Sequence, residues 1–240
     1  MISVAFRAFR AIDEPESCAH FIEGHRKVLE IFGITMITSN KALWVNHKNT
    51  YVILVESLED GRPLGGARLQ IADDDLLLPI EDAVGIVDER IFDVIKNHKP
   101  QRTAELCGLW NSREIAGYGI GSFFLTRAAI ALARGQLNIK TLFALCAPAT
   151  VNMCAKAGFV IEKSLGNDGF FNYPKLDLIA TAMVIEDINS IPNATEENQR
   201  FVEDFIHHPV QNRIEKGPKG EIMVEYNLLL NNTDHDFQTS

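Results

Sequence analysis

The feature that most constrains this chain is the stretch at residues 110–124, Trp-Asn-Ser-Arg-Glu-Ile-Ala-Gly-Tyr-Gly-Ile-Gly-Ser-Phe-Phe. Gly117, Gly119 and Gly121 recur at every second position, after an apolar run at 104–110 and before a long apolar, helix-patterned run at 122–134. Strand, glycine turn and helix in that order make a ligand loop. Glycines let the backbone approach a ligand closely and turn successive N–H groups the same way. The helix that follows adds unpaired N–H donors and the positive end of its dipole. Together they seat a phosphate or diphosphate.

Two common phosphate loops fail on residue identity. A P-loop requires a lysine after its last glycine, and none is present here. A dinucleotide fingerprint requires Gly-x-Gly-x-x-Gly and an acid at the end of the next strand, about 20 residues on. The spacing here is Gly-x-Gly-x-Gly, and the next predicted strand, 141–147, ends in Cys-Ala-Pro.

Residues 116–121, Ala-Gly-Tyr-Gly-Ile-Gly, resemble the coenzyme A loop of the GCN5-related N-acetyltransferases, Arg/Gln-x-x-Gly-x-Gly/Ala, with Ala116 in place of Arg/Gln. The similarity continues through the helix, the strand Lys140-Thr-Leu-Phe-Ala-Leu-Cys146, a short helix at 149–157 and the closing Gly158-Phe159. It covers roughly residues 1–186. It implies an α+β (α/β) fold with a mixed, mostly antiparallel sheet, splayed central strands and flanking helices. It also implies acetyl-CoA or another acyl-CoA as co-substrate, held by Trp110, Asn111, Ala116, Gly117, Tyr118, Gly119, Ile120, Gly121 and Ser122. The domain reading is an acyltransferase unit at 1–188 with an insertion at 73–99. A helix and strand follow at 189–240, packed on the core or on a second copy of the chain as a homodimer.

Composition narrows the partners. With 240 residues, 46% of them hydrophobic, the chain is long enough for a substantial core. A net charge of −9 and the absence of a basic stripe with interleaved aromatics argue against nucleic acid. No apolar run approaches the roughly 20 residues of a membrane span, and the N-terminus lacks a signal-peptide pattern. Cys18, Cys107, Cys146 and Cys154 show no Cys-x-x-Cys spacing and read as reduced thiols of a cytoplasmic protein. No metal is expected. Asp73-Asp74-Asp75 lacks the alternate-ligand spacing and closing glutamate of a calcium loop.

Along the chain, 2–10 alternates as a strand and 13–33 reads as a helix, with Asp13 as cap and Phe21, Val28, Leu29 and Phe32 on one face. Residues 34–49 are irregular or briefly helical. Strands are predicted at 51–57 and 64–71 around a turn at 59–62, and at 102–110 and 176–185, with a turn at 167–169. An amphipathic helix is predicted at 88–97. A second, capped by Thr195, runs to about 208, and a strand follows at 221–229.

In the resembled family an amine attacks the acyl-CoA thioester directly, with no covalent acyl-enzyme. Main-chain amides near Trp110 and Asn111 would polarise the carbonyl. Glu105 is the candidate base, on the side of an unbroken strand shared with Cys107, Leu109 and Asn111; the other role open to it is an ion pair with Arg68. Glu114, in the turn, is the weaker choice. Family members often carry an acid tyrosine four residues before the Gly-Phe, a position held here by Cys154, which is either the acid or a packed thiol. Tyr118, Tyr173 or water are the other acids. Trp44 and Arg68 are the substrate-binding candidates, Trp44 either bordering the acceptor or plugging the core; Phe170 and Phe171 would add apolar lining.

Glu105-Leu-Cys-Gly-Leu109, and Arg68-Leu69 followed by Leu78-Pro79, also resemble segments of the acyl-homoserine lactone synthases, a branch of the same fold, although Gly108 stands where they carry arginine. Three functions follow. The first is a CoA-dependent N-acyltransferase, most simply an N-acetyltransferase, acting on a small-molecule amine. The second is an autoinducer synthase-like enzyme fed by acyl carrier protein. The third is a catalytically inactive acyl-CoA-binding protein.

Overall fold

The computed structural model describes residues 2–31, 33–34, 42–173 and 178–231. Phe32, residues 35–41, the expected start of the strand at 176 and the tail from 232 lie outside the described residues, as does the Ser122 side chain.

The strands are β1 (Ser3–Arg10), β2 (Thr50–Ser57), β3 (Pro63–Ile71), β4 (Thr103–Asn111), β5 (Thr141–Cys146), β6 (Val160–Ile161), β7 (Phe170–Asn172), β8 (Ile179–Ile185), β9 (Val210–Gly217) and β10 (Gly220–Asn227). They form one sheet in the order β6-β8-β5-β4-β3-β2-β1-β10-β9, with β7 on β8. All pairings are antiparallel except β1 with β10 and β4 with β5. The mixed, mostly antiparallel sheet matches the expectation. The C-terminal segment continues this sheet, because β10 adds to the edge at β1.

The helices are α1 (Pro15–Ile31), α2 (Pro79–Val84), α3 (Arg90–His98), α4 (Leu125–Gly135), α5 (Pro148–Lys156) and α6 (Glu196–His207). Alternation along β5 assigns them to two faces. Leu142, Ala144 and Cys146 join the cluster under α4, α5 and α6, while Phe143 joins Ile80, Ile91 and Ile95 of α2 and α3. Helix α1 covers Val52, Leu54 and Trp110 on the second face through Cys18 and Phe21. Helix α6 is tied to α4 by Arg127, which donates to Asn198 and Glu197 and lies 4.5 Å over the Phe201 ring.

Several boundaries differ from the sequence reading, each for a physical reason. Asp13 closes a short helical turn, Ala11–Asp13, and α1 starts at Pro15, whose missing N–H suits a first turn. Helix α2 went unpredicted because Pro79-Ile-Glu-Asp-Ala-Val is too short to show a period; the Glu81 carboxylate accepts the Leu78 N–H at 2.8 Å and closes its first turn. Strand β9 also went unpredicted: Val210-Gln-Asn-Arg-Ile-Glu-Lys-Gly is polar on both faces, as an outermost strand must be. Thr195 does cap α6, accepting the Asn198 N–H at 3.3 Å.

Candidate acyl-transfer cleft

Strands β4 and β5 pair only from Thr103↔Thr141 to Glu105↔Phe143 and then diverge. A bulge in β4 assists the divergence. The pairing with β3 skips from Arg68↔Cys107 to Gly66↔Trp110, and Gly108 takes φ +59 within it. The extra residue reverses side-chain parity. Glu105 and Cys107 therefore share a face with Trp110, not with Asn111 as an unbroken strand requires. The gap opens into a cavity of about 320 Å³ that passes between the faces of the sheet. Glu105, Cys107, Gly108 and Leu109 line it from β4, and 144–146 from β5 with Ala147 just beyond it. His25 and Leu29 close the α1 side, and Thr126, Thr150 and Cys154 the α4 and α5 side.

Asn111 leads into the glycine loop. Gly117 and Gly119 have φ of +89 and +87, which only glycine adopts without strain. A Cβ on Gly119 would sit 2.7 Å from the Phe124 ring, and one on Gly121 would collide with the Asn111 side chain. The loop then enters α4 through a wide turn, Ile120–Phe124, in which the Phe124 N–H reaches back to the Gly119 carbonyl at 3.2 Å. That wide turn shifts the regular helix from the expected 122 to Leu125. The N–H groups of Ala116 and Tyr118 are spent on Arg113 and Ile115 carbonyls. Among the described residues, those of Gly117, Gly119, Ile120 and Gly121 take no backbone acceptor. Four donors in six residues stay open for an anion.

The cleft holds two perturbed acid–base groups. Glu105 is 2% exposed, and its carboxyl accepts the Ile80 N–H at 2.7 Å. Burial pushes it up to about 8; the Ile80 bond and the Arg68 charge oppose the rise without cancelling it. His25 is 4% exposed, and burial, helped by Arg68, lowers it to about 4, so its imidazole is neutral at pH 7. Cys146 Sγ lies 3.4 Å from Cys154 Sγ. That shared hydrogen bond, then burial, pushes the Cys154 thiol up, while the same bond lowers Cys146.

Of the sequence candidates for catalysis, the structure brings Glu105, Cys154 and Tyr173 to one cavity, while Trp44 and Arg68 do not line it. Arg68 is 1% exposed, donates to Cys107 Sγ at 3.2 Å and lies 4.7 Å over the Trp44 ring. Arg68 and Trp44 thus lie behind Cys107, under the cleft floor. The Arg68–Glu105 pairing does not form as the carboxylate's hydrogen bond, because the register sets Arg68 opposite Cys107 and Gln70 opposite Glu105. The Trp110 ring packs against Gly24 and Phe21 on α1, leaving only its main chain for a ligand. The Ser112 N–H donates to Leu64 O on β3, so by strand alternation the Asn111 N–H faces the divergent side. Glu114 is taken up in a surface pair with Arg62. Phe171 is buried among α2, α3 and β8, and Phe170 is exposed, so neither lines the cleft. Tyr173 does line it; Tyr118 does not, and packs against Gly217.

Sequence reasoning missed two residues. His25 carried a legible signal, lying four residues after Phe21 and four before Leu29 on one helix face. Lys219 carried none, because only the β9–β10 turn carries it to the loop, where its N–H donates to Gly117 O at 2.9 Å.

No family model matches the sequence, and no curated protein matches it in sequence. Solved structures do match the fold. FeeM, an N-acyl amino acid synthase from uncultured soil microbes, aligns at 15% identity over 83% of this chain and 99% of its own, with a TM-score of 0.61. Escherichia coli ElaA aligns at 11% identity over 77% and 99%, TM-score 0.54. An acyl-CoA N-acyltransferase from Pseudomonas aeruginosa aligns at 12% over 76% and 99%, TM-score 0.52. At such identities the likeness establishes the fold, which is that of the GCN5-related N-acetyltransferases. No helix among the described residues is long and apolar enough to cross a membrane.

Proposed function

We propose that the chain is an N-acyltransferase that moves an acyl group from a CoA thioester to a small-molecule amine by direct attack in the β4–β5 cleft. One observation carries the reading: the open amides of the glycine loop stand at the head of α4, and Thr126 of that helix lines the cleft. A diphosphate on the loop and a thioester in the gap are then reachable by one extended cofactor. The donor enters from the α4 and α5 side and the amine from the α1 side, beside Glu105 and His25.

Outward amides of β4 beyond Glu105 polarise the thioester carbonyl. The amine loses its proton to Glu105 or to neutral His25. Cys154 is a poor acid here, since a thiol held above the ordinary value of about 8.5 gives its proton to a departing thiolate uphill. Water or Tyr173 takes that role. Trp44 and Arg68 act by shaping the floor under Cys107 and not by touching the acceptor.

The simplest donor is acetyl-CoA. A longer acyl group joined to an amino acid is a second reading, favoured by the apolar wall of Leu29, Ile34, Leu178 and Ile179 in the cleft and by the fold shared with an N-acyl amino acid synthase. Thiol release should be followed with acetyl-CoA and longer acyl-CoA against a panel of amines that includes amino acids. Release that requires a particular amine supports the proposal, and chain-length preference separates the two donors. Turnover only from acyl carrier protein would replace the CoA reading, and a CoA-induced thermal shift without turnover would leave a binding protein.

A further inference from the structure

His47, Asp73 and Asp75 bring one possible ligand atom each to within 4.8 Å of one another, and none of the three lines the β4–β5 cleft. His47 follows the helical turn Ala42–Asn46, and the two aspartates open the insertion directly after β3. The His47 residue is 8% exposed. Its Nδ1 lies 3.0 Å from Thr50 Oγ1, a contact that fixes the ring and leaves Nε2 facing the aspartates.

That Nε2 is enclosed and makes no hydrogen bond, although Asp73 Oδ2 is only 2.8 Å away. Two ligand atoms 2.8 Å apart can share one ion placed about 2.1 Å from each. Asp73 is itself held in place. Its Oδ2 accepts from Asn49 Nδ2 at 2.7 Å, and its Oδ1 from the N–H groups of Asp75 and Leu76 at 2.9 and 3.2 Å. These bonds lower its carboxyl against the opposing effect of burial. Asp75 is exposed and completes the triangle; Lys48 Nζ, 3.4 Å from its Oδ2, is the charge an ion would have to displace.

We propose that His47, Asp73 and Asp75 bind a first-row divalent cation, with Zn²⁺ the ion their donor set fits best. The imidazole selects against magnesium and calcium, and the two carboxylates offset the charge. Water completes the coordination. The bound ion pins the segment carrying Trp44 to the base of the insertion, whose Pro79 lines the cleft. This inference stands independently of the acyl-transfer reading.

The test is direct metal binding by chelator-stripped, full-length protein. Zn²⁺ is titrated against a chromophoric competitor, and Co²⁺ is used as an optical probe of the ligands. One equivalent of Zn²⁺ should bind, raise Tm, and give a Co²⁺ spectrum free of thiolate charge transfer. Asp75→Asn, an exposed change that leaves the fold intact by circular dichroism, should weaken binding at least tenfold; Asp73→Asn and His47→Gln should abolish it. His207→Ala/His208→Ala, at an exposed imidazole pair, should leave Zn²⁺ binding unchanged. Absence of saturable Zn²⁺ uptake by the folded wild type overturns the proposal, and so does uptake that survives both Asp73→Asn and Asp75→Asn.

Discussion

The Lys219 N–H donates to the Gly117 carbonyl at 2.9 Å, and the Lys219 methylenes stand 2.9 to 3.0 Å from where a Cβ on Gly117 would be. The turn between β9 and β10 is therefore stitched to the glycine loop by its backbone, with an exposed ammonium carried alongside. At the head of that loop Ala116 leaves out the arginine or glutamine of the resembled pattern. Lys219 brings an ammonium beside that loop from a distant part of the sequence.

A first prediction follows. Lys219→Ala keeps the backbone bond and removes only the ammonium, so Tm should stay within a degree or two. An exposed charge–phosphate contact is worth up to about 1 kcal/mol, so KM for the acyl donor should rise about fivefold with kcat little changed. The KM effect should shrink at high salt, because the contact is exposed to screening. A fall in kcat alone, measured by thiol release, would remove Lys219 from donor binding.

The proton acceptor can be identified from the pH–rate profile, because the two candidates are displaced in opposite directions. With Glu105 as base, kcat/KM should climb through an apparent pKa near 8, the value to which burial raises it. With His25 as base, the limb lies near 4 and the rate is flat at neutral pH. Glu105→Gln should cost roughly 10²–10⁴ in kcat and erase the upper limb if Glu105 acts. His25→Gln should do the same to the lower limb if His25 acts. Acceptor amines of different pKa must be compared, since a shift that tracks the amine reports the substrate.

How much of this was legible in the sequence depends on how local its cause is. Strand–turn–helix around Gly117, Gly119 and Gly121 was readable because both glycine φ signs and helix periodicity are local properties. The two-residue geometry of the β4 bulge was not. Gly108 reads as an ordinary strand residue until β3 supplies the register, and the reversal then moves Trp110 to the Glu105 side of the sheet. For the same reason Arg68 was legible as a charge able to pair across the sheet but not as the partner of Cys107. His25 and Lys219 reach the site through tertiary packing, and pattern reasoning has no term for it beyond a face shared with Phe21.

Stability should pass through a maximum on the acid side of neutrality. Between the ordinary glutamate value and about 8, folded Glu105 keeps a proton that the unfolded chain has released. Stability therefore falls as pH rises through that window and levels off above it. Buried Glu81 and Glu215, both raised by burial, contribute in the same direction. His25 works oppositely. Between about 4 and its ordinary value of about 6.5 the unfolded chain binds a proton that the folded state refuses, so stability rises with pH there. Below about pH 6.5 the two windows overlap and oppose one another, so Tm measured from pH 4 to 10 should change little there and fall between about 6.5 and 8. Glu105→Gln should remove the alkaline fall and uncover the acid rise, and His25→Gln should extend the fall to lower pH.

Gly119→Ala should separate the loop's conformation from its chemistry. The position has φ +87, and an added Cβ would meet the Phe124 ring at 2.7 Å. Forcing an L side chain into the left-handed region costs about 1–2 kcal/mol, so Tm should fall by several degrees. The Phe124 ring anchors the wide turn into α4 and stacks near Phe201, so relief of the clash must move the turn that aims the open amides. CoA binding should then weaken beyond what lost stability explains, while the pH–rate profile keeps its inflection because Glu105 and His25 sit in the cleft, away from the loop. Calorimetric CoA titration at a temperature where the variant is fully folded isolates the effect. A Kd equal to the wild type, despite the lowered Tm, would show that the glycine loop does not hold the cofactor.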